Sequence, residues 1–449
     1  MTQGDTIAAP ATPPGYGGVG IIRVSGPLAA DIAGAVLGRL PRPRAAVLAG
    51  FLDPKGEPID RGIALFFPAP ASFTGEDVLE LQGHGGPLVL DLVLRRTLQL
   101  GARLARPGEF SERAFLNCKL DLIQAEAVAD LIESRTEMAV RLAGRTLHGE
   151  LSYRVHALAE ELTDLRALVE AALDFPDEEI DFLAAGALNA RLDSLVERGE
   201  RVHAAAFQGR LIREGLRLVI AGAPNAGKSS LLNALSGTDA AIVTEMPGTT
   251  RDLLRQDIEI DGMPLQIVDT AGLRHSCDPI ELEGIRRARG EIEQADRVLW
   301  IYDAAADSHH SMLDPDLLPT GTPVTYIRNK IDLTQDASGR RETPAGIELC
   351  ISARTGEGLD SLRRYLKEVA GYRDTGEGEF IARRRHLDAL ERSLRHIRSG
   401  SELASRGTSA PELLAEDLRQ AQRALGEITG EVTSEDLLGR IFSSFCIGK

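Results

Sequence analysis

The 449-residue sequence predicts a multidomain chain of mixed α/β and α class: an N-terminal α+β domain, then a helical domain interrupted by an inserted α/β domain. Three observations carry this reading. The first ~115 residues alternate short β-branched runs with Gly and Pro turn signals. From Lys119 the texture changes to Ala and Leu at helical spacing, and it returns between Glu379 and Phe445. Between those stretches a glycine-rich loop at Gly222 joins a buried strand to a helix. The bounds read as 1–118, 119–213, 214–374 and 375–449. At roughly 100–200 residues per domain, the length accommodates this plan.

In the first domain, Gly20-Ile-Ile-Arg-Val-Ser-Gly26, Ile63-Ala-Leu-Phe-Phe67 and Asp77-Val-Leu-Glu-Leu-Gln82 read as strands bounded by turn residues. Ser25 to Leu40 and Pro87 to Leu100 look helical. Leu120 to Glu133 has apolar residues at helical spacing, and long helices continue to about Gly209 with one break at Asp174-Phe-Pro-Asp-Glu-Glu-Ile-Asp181. The two helical stretches are expected to form one domain, because a guest domain with neighbouring termini inserts readily. The best linker candidate is Gly371-Tyr-Arg-Asp-Thr-Gly-Glu-Gly378.

The inserted domain carries the chemistry. Leu216 to Ala221 reads as a buried strand, and Gly222-Ala-Pro-Asn-Ala-Gly-Lys-Ser229 fits the phosphate-binding pattern G-x-x-x-x-G-K-[ST] ahead of a helix. Backbone N–H groups of Asn225, Ala226, Gly227, Lys228, Ser229 and Ser230 would wrap phosphates at a helix N-terminus. Lys228 would reach the outer phosphates and Ser229 would ligate magnesium. Gly248-Thr-Thr-Arg-Asp252 stands where a switch loop belongs, with Thr250 able to offer magnesium a hydroxyl. A strand pair turning at Asp261-Gly262 leads to Asp269, Thr270, Ala271 and Gly272, which suit a magnesium-shell carboxylate and a γ-phosphate N–H. Asn329, Lys330, Ile331 and Asp332 follow the strand Val324 to Arg328. A carboxylate there accepts from N1–H and the 2-amino group of guanine, and adenine offers neither. Ser352, Ala353 and Arg354 follow another strand and would cover the guanine edge. Four motifs in this order describe a Ras-like P-loop GTPase that binds GTP with magnesium. Leu273 stands where many GTPases place a water-orienting Gln, so another group must orient water and something positive must neutralise developing charge. The local chemistry leaves two readings open: a slow enzyme awaiting an activator, or a monovalent cation held by Asn225 and switch-loop carbonyls.

Over its whole length the sequence resembles the MnmE (TrmE) family of bacterial tRNA modification GTPases. The resemblance rests on Gly17-Gly-Val-Gly-Ile-Ile-Arg-Val-Ser-Gly26, Ser72-Phe-Thr-Gly-Glu-Asp77, Glu80-Leu-Gln-Gly-His-Gly-Gly86, Pro107-Gly-Glu-Phe-Ser-Glu-Arg-Ala-Phe115, Asn117-Cys-Lys-Leu-Asp-Leu122, Asp174 to Asp181 and the terminal Cys446-Ile-Gly-Lys449. GTPase motifs are widely shared, whereas their combination with this C-x-G-K terminus is specific. The resemblance implies potassium held by Asn225 and by the loop Thr244, Glu245, Met246, Pro247, Gly248 and Thr249, with Thr244, Met246 and Thr249 giving oxygens. It implies magnesium on Ser229 and Thr250, and Glu281 as the water-orienting residue, with Glu283 its nearest competitor. It implies a 5-formyl-tetrahydrofolate-type cofactor on Arg23, Glu80, Lys119 and Lys449. It further implies a homodimer through the N-terminal domains and potassium-stimulated hydrolysis as GTPase domains meet. With an FAD-containing GidA/MnmG-type partner, in a heterotetramer or larger complex, the family adds a carboxymethylaminomethyl or aminomethyl group to C5 of the tRNA wobble uridine.

The formal net charge of -16 argues against nonspecific coating of nucleic acid. Arg383-Arg-Arg-His386 is the best local basic patch, read foremost as a solvated helix start. Cys118, Cys277, Cys350 and Cys446 form no C-x-x-C pair or zinc spacing, and no signal peptide or membrane-length apolar run is apparent, so a cytoplasmic location is expected. Cys446 near Lys449 invites a nucleophile reading beside a packing one. Gly83-His-Gly-Gly86 lacks the G-x-S-x-G that an esterase would need. The competing function is an Era-type switch GTPase of ribosome assembly, and a third reading makes the GTPase only regulatory to a folate-dependent enzyme.

Overall fold

The computed structural model describes residues 4–134, 136–174, 185–222, 225–236, 254–260, 263–269, 295–306, 322–334, 336–372, 380–405, 411–432, 435–445 and 448. The chain divides into two compact units. One comprises Met1–Glu133, Gly144–Val202 and Asp388–Lys449; the other comprises Ser134–Ala143 and His203–Leu387.

The first unit begins with β1 (Ile7–Pro10), β2 (Gly17–Ser25), α1 (Ala29–Leu37), β3 (Val47–Leu52), β4 (Pro58–Phe67), β5 (Val78–Gly85), α2 (Pro87–Gln99), β6 (Arg103–Leu104) and α3 (Glu109–Leu116). The sheet order is β3-β4-β5-β2-β1-β6, antiparallel except for the parallel β1–β6 pair. Alternation decides its faces. Ile22 and Val24 of β2 and Leu79 and Leu81 of β5 join Ile32 and Val36 of α1 and Val93 of α2 in one buried cluster. Each such aliphatic side chain stabilises the fold by ~1.5–3 kcal/mol. The intervening Arg23 and Glu80 pair across the strands away from that cluster. The sequence anticipated β2, β4, β5, α1 and α2 but not β1, β3, β6 or α3. β1 and β6 have four and two residues, β3 (Val-Leu-Ala-Gly-Phe-Leu) shows no polar alternation, and α3 has only eight residues.

Helices α4 (Leu122–Glu133), α5 (Glu137–Leu147), α6 (Glu150–Asp174) and α7 (Ala185–Glu214) follow. The second unit's sheet is built from β7 (Leu216–Gly222), β8 (Leu254–Ile260), β9 (Met263–Asp269), β10 (Arg297–Asp303), β11 (Val324–Asn329), β12 (Gly339–Thr343) and β13 (Gly346–Cys350), with α8 (Lys228–Ser236) after β7 and α9 (Leu359–Ala370) after β13. Its order is β12-β13-β11-β10-β7-β9-β8. The central strands are parallel, flanked by the antiparallel pairs β8–β9 and β12–β13. Leu218, Ile220, Leu299, Ile301 and Ile327 bury one face against α8 and α9. Val219, Val298, Trp300 and Tyr326 are buried on the other, which explains the continuous apolar runs. Strand β7 lies between β9 and β10, so the loop leaving it opens at a topological switch point, where α/β sheets bind ligands.

The chain ends with α10 (Arg384–Ser405), α11 (Pro411–Thr429) and α12 (Glu435–Ser443). Gln422 of α11 accepts from Arg166 at 2.6 Å and donates to Thr163 at 2.9 Å, both on α6. Phe442 and Phe445 pack on Leu122 and Ala125 of α4. The basic run Arg383 to Arg385 does open a helix, but His386 is not solvated: it is buried, and its Nδ1 accepts the Arg383 N–H at 3.1 Å.

Candidate functional site

Strand β7 leaves its sheet at Gly222, whose φ is 147°, and a Cβ there would stand 2.0 Å from the Ile301 carbonyl oxygen. Only glycine lets the loop pass that close to β10. Asn225 takes φ 62°, and Gly227 takes φ 96° with the Asn329 Nδ2 2.3 Å from where a Cβ would lie. Lys228 then opens α8, and its ammonium donates to the Gly222 carbonyl at 2.9 Å. Ser229 and Ser230 sit exposed on the first turn of α8, where unpaired helix N–H groups favour an anion.

Asn329 holds this loop against the next two. It is buried, donates through Nδ2 to the Ala226 carbonyl at 2.8 Å and accepts through Oδ1 from the Ala353 N–H at 3.0 Å. The Asp332 carboxylate is exposed and accepts from the Ser352 hydroxyl at 2.7 Å; Ser352 is itself buried and also receives the Thr355 N–H. Ile331 is buried with Ala304 and Cys350, so only its backbone can face a ligand. Arg354 is exposed. The structure therefore brings Ala226, Gly227, Asn329, Asp332, Ser352 and Ala353 together in one hydrogen-bonded cluster.

Sequence reasoning missed Asp303. It ends β10, and its carboxylate binds the Lys330 ammonium at 2.7 Å and the Ala305 N–H at 2.9 Å. Burial works against the charge, but Lys330 and that N–H outweigh it and hold its pKa below the usual value. The available signal was an Asp directly after a buried strand, which also suits an ordinary solvated strand end. In the same sheet, Glu348 is buried and accepts from the Tyr302 hydroxyl, and burial pushes the neighbouring Cys350 thiol up to about 11.

Several expected ligands lie outside the described residues: Thr244, Glu245, Met246, Pro247, Gly248, Thr249, Thr250, Thr270, Ala271, Gly272 and Glu281. Asp269 is described only as the last residue of β9.

A second cluster lies on β2 and β5. Arg23 Nε donates to Glu80 Oε1 at 3.0 Å, and Gln82 donates to Glu80 Oε2 at 3.1 Å. The guanidinium stands 5.7 Å from the ring centroids of both Phe73 and Phe110. Its Nη1 reaches the Gly448 carbonyl at 3.5 Å. Gly448 is pressed so close to β1 that a Cβ would lie 2.0 Å from the Pro10 carbonyl oxygen. Lys119 is exposed and runs its stem past Gly75, whose Cβ would lie 3.4 Å from Lys119 Cε. Lys449 and Cys446 lie outside the described residues.

The segment 72–77 beside Arg23 is fixed by groups that motif reading left unassigned. Ser25 and Thr74 share a hydrogen bond at 2.7 Å, Ser25 donates to Glu76 at 2.7 Å, and Asn117 donates to the Thr74 carbonyl at 2.7 Å. Arg113 joins Glu76 at 3.0 Å, Asp5 at 2.7 Å and Glu109 at 3.2 Å. Burial opposes the Glu109 carboxylate, but Arg103, the Arg106 N–H and Arg113 hold its pKa down to about 2.

Two family profiles match the chain: "GTP-binding protein TrmE N-terminus" over residues 6–119 and "MnmE helical domain" over residues 122–446. A protein of Sodalis glossinidius (strain morsitans) named "tRNA modification GTPase MnmE" is 58% identical over 458 residues, covering 100% of both chains. One of the same name from Yersinia pestis bv. Antiqua (strain Angola) is 58% identical over 456 residues, again covering 100% of both. Among solved structures, an Aquifex aeolicus Era variant bound to GDP.AlF4- is 26% identical over 40% of this chain and 66% of that one, with a TM-score of 0.28.

Proposed function

The chain belongs to the MnmE family of tRNA modification GTPases, and from that membership we propose that it hydrolyses GTP to drive modification of C5 of the tRNA wobble uridine. The observation that carries the GTPase part is the closure of three separate loops on Asn329, with Asp332 presented beside it. Asp332 selects guanine by accepting its two N–H donors, Lys228 and the first N–H groups of α8 draw the phosphates, and Asn329 keeps the loops in register. Ser229 and Thr250 are the proposed magnesium ligands, and Asn225, Thr244, Met246 and Thr249 the proposed potassium ligands. The described members fit: Ser229 is exposed at the start of α8, and Asn225 is exposed with a left-handed backbone. When bound, these cations would neutralise phosphate charge. Glu281 is the proposed water-orienting group.

The N-terminal cluster supports a pocket for a reduced folate. Glu80 suits the amino-amide edge of a pterin, Arg23 and Lys119 suit carboxylates, and Lys449 would complete it. The rest of the proposal comprises a homodimer, an FAD-containing GidA/MnmG-type partner, tRNA as substrate, a cytoplasmic location and domain bounds of 1–118, 119–213, 214–374 and 375–449. None of the described helices is long and apolar enough to cross a membrane. The Era-type switch is not favoured, because relatives named for tRNA modification match from end to end. The test is nucleoside analysis of tRNA from a bacterial strain lacking its own copy and from the same strain carrying this gene. Return of the C5-aminomethyl-type uridine is the expected result. Its absence, with GTP hydrolysis intact and the partner functional, would overturn the modification role.

A further inference from the structure

Asp303 stands among the candidate guanine residues without belonging to their motifs. It is the last residue of β10, and the parallel register of β10 and β11 sets it directly beside Asn329. Two residues earlier, Ile301 lies beside Gly222, where the phosphate loop leaves β7. Asp303 is therefore at the ligand-binding edge of the sheet. By strand alternation it is on the same face as Ile301 and Asn329.

Its partner Lys330 has a φ of 67°, the left-handed region that L residues enter at a cost, directly before the turn Ile331–Leu333 that presents Asp332. That turn is held from two sides. On one, the Ile331 N–H donates to the Ile351 carbonyl at 3.3 Å and the Ser352 hydroxyl donates to Asp332 at 2.7 Å. On the other, Ile331 packs on Ala304, Arg328 Nη2 donates to the Ala304 carbonyl at 3.5 Å, and the Lys330 ammonium meets Asp303 at 2.7 Å. Asp303 is itself fixed by the Ala305 N–H, which it accepts at 2.9 Å. The Lys330 and Asp303 side chains are 32% and 25% exposed, and ion pairs open to water contribute little to stability. What this pair sets is the direction of a long, rotamer-rich side chain.

We propose that Asp303 is a positioning residue for guanine-nucleotide binding: it holds the Lys330 ammonium at the end of β10 and so keeps it off the Asp332 carboxylate. This rests on the assignment of Asp332 to the guanine base made above. Released from Asp303, the ammonium is a mobile cation two residues from Asp332, and opposite charges attract. Pairing between them would occupy the acceptor oxygens that guanine's two donors need, and would draw Lys330 out of the backbone conformation that leads into the turn. Asp303 thus acts on the base without touching it.

The test is a double-mutant cycle on the full-length protein, read by calorimetric titration with GDP and magnesium. Asp303→Ala should bind GDP about tenfold more weakly than wild type, while its melting midpoint without nucleotide stays within about 3 °C. Asp303→Asn keeps the size and removes the charge, and it should lose affinity in the same direction; it carries the test if the alanine variant does not fold. In a Lys330→Met background, which keeps the apolar stem and removes the ammonium, Asp303→Ala should cost no more than about twofold. A merely structural role for Asp303 would give the same loss with or without the ammonium. If Asp303→Ala and Asp303→Asn bind GDP as wild type does, or if the tenfold loss persists beside Lys330→Met, the positioning role is wrong and the guanine assignment stands. If Asp332→Asn binds GDP as tightly as wild type, the guanine assignment itself is wrong, and the role of Asp303 falls with it.

Discussion

On the proposed reading, Asp332 needs little chain to choose a base. Its carboxylate is exposed yet anchored by the buried Ser352, an arrangement that would hold its acceptor oxygens ready for guanine's two donors. Asp332→Asn would set an N–H against one of those donors. Hydrogen bonds to charged groups contribute about 1.5–3 kcal/mol, so GTP affinity should fall roughly 10- to 100-fold, and xanthosine triphosphate should become the better ligand. Competition binding with the two nucleotides checks this. Glu109 acts on stability instead. Unfolded it titrates near 4.5 and folded near 2, so its contribution is complete above about pH 5 and is lost as pH falls through 2. Glu109→Gln should destabilise the protein at pH 7 by on the order of 3 kcal/mol and flatten the acid limb between those values, followed by circular dichroism. The loop at 329–332 was legible as a candidate site because its motif is contiguous. Asp303 was not, since its meaning depends on Lys330, which lies in another loop.

At the scale of elements, periodicity served best where an element is long or buried on both faces. The strands β7, β10 and β11 and the helices α4 and α6 announce themselves by apolar spacing. The β12–β13 pair is different: Gly-Arg-Arg-Glu-Thr at 339–343 has almost no apolar signal, and it is a strand because it pairs with β13 at the sheet edge. Helix α7 illustrates packing that no propensity scale records. Gly209 lies within it, and a Cβ there would stand 2.1 Å from the Phe380 carbonyl oxygen. Gly209→Ala would ordinarily favour a helix by about 1 kcal/mol. Here the backbone contact should reverse the sign and destabilise by ~1–3 kcal/mol, seen as a lower midpoint in thermal or urea unfolding.

For the whole molecule, the order of domain-like textures was readable from composition, whereas contacts across long separations were not. Gly448 meeting Arg23 and Pro10 is the clearest case, since nothing local to any of the three foretells it. Gly448→Ala should disturb that contact through both its φ of 98° and the clash with Pro10, and, on the proposed folate reading, should weaken binding of 5-formyl-tetrahydrofolate about tenfold by calorimetry. The same contact has a consequence in time. Arg23 and Gly448 are 425 residues apart, so at ~5–20 residues per second a ribosome makes one side of that contact roughly 20–85 s before the other. Throughout that interval the nascent N-terminal sheet has to persist without the segment that finally lies against it.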